Sequence, residues 1–185
     1  MAANPRLSDV VHYVIAHCPP DRLGATKLNK VLWYADMLYY RQHGKTITGA
    51  ESYVKLQHGP VPKDIGPTIG ALKQSGKIVE RATPTPAGVR REFLWLEPAP
   101  VQKFAPEEID ALRDVMGWIC NGESAASISE LTHDALWEET AIGQDMPVKA
   151  GAVVPAEITP EAIQWAQGVF DEHRKAGNGV QSSRA

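Results

Sequence analysis

Two prolines spaced two apart, Pro60 and Pro62 in His58-Gly59-Pro60-Val61-Pro62, constrain this 185-residue chain more than any other feature. Each fixes φ and removes a backbone donor, and each forbids the right-handed helical region to the residue before it. Whatever helix precedes them must therefore stop short, and the chain must leave this point extended or turning. Upstream, Leu28, Val31, Leu32, Ala35, Leu38 and Tyr39 form one apolar stripe at helical spacing. Thr26 is the expected N-cap of that helix and Gly44 its C-terminal stop. Glu51 to Gln57 reads as a short strand, with Tyr53 and Val54 favouring extended backbone, so the HGPVP run becomes a rigid turn behind it.

The same logic divides the rest. Leu7, Val10, Val11, Val14, Ile15 and Cys18 fall on one helix face, with Ser8 as cap and Pro19-Pro20 as stop. A third helix is expected over 63–75 and is closed by Gly76. Residues 77–81 and 89–96 read as a hairpin, and 97–100 (Glu-Pro-Ala-Pro) as a joint. Beyond it, Pro106 opens a helix carrying Ile109, Leu112, Met116 and Ile119, and Ser127 with Glu130 matches a capping box. A short helix holds Leu136 and Trp137, and Thr159-Pro160 opens a last one through Phe170. The expectation is a mainly α fold with a small antiparallel β hairpin. Residues 1–97 form helices plus hairpin, 98–176 a helical half packed on them, and 177–185 a disordered tail.

Charge is lopsided. Residues 1–97 carry 13 Lys and Arg against 8 Asp and Glu, whereas 98–185 carry 6 against 14. The basic half suits nucleic acid, an acidic partner, or the chain's own acidic half. No run approaches the ~20 apolar residues of a membrane helix, and the start lacks a signal-peptide core, so a cytoplasmic protein is expected. Cys18 and Cys120 form no CxxC pair, and each lies among apolar residues of a helix. That favours plain buried thiols over a disulfide or a metal role.

Chemistry-bearing constellations are few. Asn29, Trp33, Asp36 and Tyr40 recur at +4, +3, +4, beside a second stripe of Lys30, Tyr34, Met37 and Arg41. Large rigid rings with Arg and Met are the mixture that protein interfaces bury. Packing of the same rings inside the fold is the competing reading. His58 lacks a nucleophile or metal-ligand partner at any recognisable spacing, so a structural turn outweighs catalysis. The His133-Asp134 group reads better as a helix start than as a metal site. No phosphate-binding loop, nucleophile elbow or zinc-ribbon spacing is present. Element order leaves one rival, a winged-helix DNA-binding regulator using Lys73, Lys77, Arg81, Arg90 and Arg91. Its third helix is weakened by Gly66, Pro67 and Gly70.

The run from Lys27 to Pro62 resembles the Panacea domain of the SocA-like antitoxin family. The matching elements are Lys27, Leu28, Lys30, Leu32, Tyr34, Ala35, Asp36, Tyr39, Tyr40 and Gly44, then Ile47-Thr48-Gly49-Ala50 and His58-Gly59-Pro60-Val61. Trp33 stands where the family usually has Tyr. The segment THDALWEETAIGQDMPV resembles the family's later helical region, so the likeness spans most of 7–155. The resemblance implies a bacterial or prophage antitoxin that binds a separately encoded toxin directly, and an adaptor delivering that toxin to the ClpXP protease. It implies no catalytic residue, cofactor or small-molecule substrate. The expected partner-binding residues are Lys27, Asn29, Lys30, Trp33, Tyr34, Asp36, Met37, Tyr40, Arg41, His58 and Pro60.

Overall fold

A computed structural model describes residues 4–86 and 88–153, which fall within one compact unit, Met1–Val153. The expected last helix from Thr159 and the tail from Gly177 lie outside the described residues. Among the described residues seven α-helices and five strands follow in order: α1 Pro5–His17, α2 Ala25–His43, β1 Ser52–Leu56, β2 Gly59–Pro62, α3 Ile65–Gln74, β3 Ile78–Thr85, β4 Gly88–Trp95, α4 Pro106–Gly122, α5 Ala125–Leu131, α6 Ala135–Glu139, β5 Asp145–Pro147 and α7 Val148–Gly151. The fold is mainly helical with small antiparallel sheets.

Helix starts differ from expectation in instructive ways. Asn4, not Ser8, caps α1: its side-chain oxygen accepts from the Arg6 and Leu7 amides at 2.9 and 3.3 Å, and Pro5 occupies the first helical position. Thr26 lies inside α2, which starts at Ala25 from Gly24 without a side-chain cap. Gly24 has φ +26 and packs on Arg90, where an added Cβ would stand 3.3 Å from its Cγ. A tight backbone approach thus sets that boundary. Ser124 and Ser127, not Ser127 and Glu130, form the box that opens α5. Gly44 ends α2 in the left-handed region, as expected.

The HGPVP run is a strand rather than a free turn. β2 pairs antiparallel with β1 from Tyr53↔Pro62 to Leu56↔Gly59. Being two apart, the prolines place both missing donors on one side of the strand, and β2 is an edge, so no ladder bond is lost. On the other flank β1 pairs with β5, Ser52↔Pro147 to Val54↔Asp145, giving the order β2-β1-β5. β5 carries no strand pattern in its own residues. β3 and β4 pair only with each other among the described residues, Ile78↔Trp95 to Thr85↔Gly88.

α2 is the axis of the core. It packs against α1, α4, α5, α7 and β2. Leu28, Val31, Leu32, Trp33 and Ala35 from α2 join Val10, Val11, Val14 and Ile15 from α1 and Leu112, Val115 and Ile119 from α4, all fully or almost fully buried. Burial of this much aliphatic surface is the main stabilising term, at roughly 25 cal/mol per Å² of apolar area.

Candidate partner-binding surface

Four members of the expected surface, Lys30, Trp33, Asp36 and Pro60, are interior. Trp33 is 1% exposed. Its ring meets Tyr53 edge-on at 5.1 Å, and α7 lies so close that a Cβ on Gly151 would come within 2.6 Å of it. The ring is therefore part of the core, and its role as an exposed anchor is corrected. Elements arriving from far along the chain cover the side of α2 that the sequence pattern left open.

Asp36, fully buried, is a fastener rather than a contact residue. One carboxylate oxygen accepts from the Ile47 and Thr48 amides at 2.8 and 2.9 Å. The other accepts from the Thr48 hydroxyl and, at 2.7 Å, from the Tyr53 hydroxyl. Asn4 and Arg6 hold the Thr48 and Ile47 carbonyls from outside. The Ile-Thr-Gly step is thus clamped from both sides, with Gly49 at φ +74 turning the chain into β1. Burial pushes the Asp36 carboxyl up to about 6 against the pull of those four donors.

Lys30 makes a second buried polar contact. It is 1% exposed, and its ammonium donates to Thr132 Oγ1 at 2.5 Å. No carboxylate pairs with it among the described residues. It lies directly under Gly59, where an added Cβ would sit 1.6 Å from Nζ, and Gly59 has φ +112. Only glycine meets both demands. Burial pulls the ammonium down to about 8. The Lys of α2 and the Gly of HGPV are thereby two halves of one contact. Pro60 is buried beside them.

The remaining expected residues reach the surface. Lys27, Asn29, Tyr34, Met37 and Tyr40 are half-buried, and Arg41 and His58 are exposed. Of these, Asn29 and His58 come together with Pro60. They line a groove of about 470 Å³ with Ala25, Thr26, Leu56, Gln57, Val61 and Ile142. Leu56 and Ile142 are 43% and 61% exposed, and none of the nine lining residues is acidic or a Lys or Arg. The Asn29 side-chain oxygen is buried with no hydrogen-bond partner among the described residues. An acceptor left in that state costs about 1–3 kcal/mol. Tyr40 lines a separate cleft with Lys45, Glu51 and Lys149.

Sequence reasoning missed Leu56, Ile142 and the exposed Trp118. Trp118 stands off the Leu112-Met116-Ile119 stripe and packs edge-on against Tyr34 at 4.9 Å, beside exposed Leu131, whose carbonyl accepts from the Tyr34 hydroxyl. A tryptophan outside its helix's apolar face was the available signal. His133 stacks on Trp137 at 3.6 Å and Asp134 caps α6, as a helix start requires. Among the described residues no three His, Cys, Asp or Glu side chains are placed to hold a metal ion, and no helix is long and apolar enough to cross a membrane.

The family description "Antitoxin SocA-like, Panacea domain" matches residues 28–138. That interval contains Lys30, Asp36, the Ile-Thr-Gly step, Gly59 and Thr132, hence both buried polar contacts. No curated protein and no solved structure shows significant similarity to the chain.

Proposed function

This chain belongs to the SocA-like antitoxin family carrying the Panacea domain, and we propose that it neutralises its cognate toxin by direct binding through the groove beside His58. The observation that carries this reading is the convergence of Asn29, His58 and Pro60 with exposed Leu56 and Ile142 around an uncharged recess. Such a recess suits an apolar segment of a polypeptide. Exposed charge elsewhere steers the encounter more than it holds the complex.

The DNA-binding alternative draws less support. Arg81 and Arg90 both pair with Glu92, and Lys73 and Arg91 both pair with Glu80, so much of the hairpin's positive charge is already neutralised within the fold.

The test replaces Leu56 and Ile142 by Arg together. Both side chains are exposed, so stability should stay within about 0.5 kcal/mol of the parent. Co-expression with the co-transcribed toxin should then fail to rescue growth, and the purified pair should bind more than tenfold more weakly. A folded double variant that neutralises fully would end the assignment. Delivery to ClpXP, the finer role the family resemblance implies, is read separately from toxin half-life. Delivery shortens it when antitoxin and protease are both present, and sequestration alone does not.

A further inference from the structure

Cys18 and Cys120 are 102 residues apart in the chain, yet their Sγ atoms lie 2.7 Å from each other. Both are free thiols and each residue is 5% exposed. Cys18 is the residue that caps α1, fixed by its own amide donating to the Val14 carbonyl at 3.0 Å. Cys120 stands in the final turn of α4. The neighbouring Arg22 donates to Asn121 Oδ1 at 2.8 Å, so the same seam is tied once more from outside. Two rigid helices therefore present two sulfurs to each other with no side chain between them.

We infer that Cys18 and Cys120 form a reversible intramolecular disulfide that staples the end of α1 to the end of α4. The hydrogen bond from the Cys18 thiol holds Cys120 below the usual thiol range, against burial, and the Lys27 ammonium adds to that pull. The same hydrogen bond and burial hold Cys18 above it. Cys120 is accordingly the first thiolate when the seam opens to a small disulfide oxidant such as oxidised glutathione. Its sulfur attacks one glutathione sulfur and expels a glutathione thiolate, leaving a mixed disulfide. Cys18, giving up its proton to solvent, then attacks the Cys120 sulfur and expels the second glutathione. The protein loses two protons and two electrons, and the glutathione disulfide becomes two thiols. The closed loop spans most of the compact unit, so the cross-link removes conformations chiefly from the unfolded chain.

The experiment uses the full chain equilibrated across ratios of reduced to oxidised glutathione, quenched in acid, denatured, treated with a maleimide and weighed. The expected product is a monomer lacking two hydrogens and taking up no maleimide. Dithiothreitol restores both thiols, and the oxidised form unfolds at higher urea than the reduced form. Cys120→Ala and, separately, Cys18→Ala should give no such species and no oxidation-dependent shift. Two maleimide-reactive thiols at every ratio would overturn the inference. So would thiol loss only through glutathione adducts or dimers, or a cross-link that leaves the urea midpoint unmoved.

Discussion

Replacing Lys30 by Met should make this protein more stable, against the usual outcome for an interior substitution. The ammonium is almost wholly buried and has one hydrogen-bond partner, the Thr132 hydroxyl. Burial lowers its pKa from 10.5 to about 8. At about 1.4 kcal/mol per unit, that corresponds to roughly 3 kcal/mol of cost for holding the charge at pH 7, an upper figure once residual solvent contact is allowed for. Met keeps the chain length and packing of the lysine stem. Thr132 is not stranded, because its hydroxyl still donates to the Ser129 carbonyl at 2.8 Å. The expected gain is therefore about 1–3 kcal/mol at pH 7. Linkage fixes its pH dependence. Below pH 8 the lysine is protonated in both states, and the gain is complete. Between 8 and 10.5 the folded wild type holds fewer protons than the unfolded chain, so its stability rises and the gain closes. Urea titrations of both proteins at pH 7 and near pH 10 measure this. A loss of more than about 1 kcal/mol for Lys30→Met at pH 7 would refute the reasoning, because the ammonium would then stabilise the fold rather than burden it.

Trp33→Ala should cost about 3–5 kcal/mol and lower the urea midpoint sharply, because it empties a ring-sized space between Tyr53 and Gly151. An unshifted midpoint would return that ring to the surface. Asp36→Asn tests the carboxyl raised to about 6. In the wild type, the folded state binds more protons than the unfolded state between roughly pH 4 and 6, so stability falls across that window by up to about 3 kcal/mol. The Asn variant should lack that slope relative to wild type, as paired urea midpoints at pH 4 and 7 would register.

Much of this architecture was legible in advance, for reasons that differ by element. α1, α2 and α4 carry long apolar stripes at one period, and Gly44 can end a helix where other residues strain. The hairpin β3–β4 was legible from its two arms, but residues 82–85, expected in its loop, extend β3 and pair with 88–91. What escaped was set by distant chain. β5 is three residues, Asp-Met-Pro, with no alternation to detect, and it is a strand only because β1 offers it an edge. The prolines of β2 mimic a turn until their shared outward side is known. Trp33 illustrates the limit for the site: helical spacing says which residues share a face, but not how many faces other elements cover. The proximity of Cys18 to Cys120 is likewise a property of helix packing, invisible in their separation.

The middle position of β1 in its sheet ties residues 52–62 to the far end of the compact unit. One neighbour, β2, begins three residues after β1 ends, but the other arrives only with residues 145–147. A nascent or clipped chain that stops before that point carries an open row of amides and carbonyls on β1, and a naked flank beside Trp33 where α7 would sit. The molecule thus marks its own unfinished forms, exposing sticky backbone until the last piece is in place.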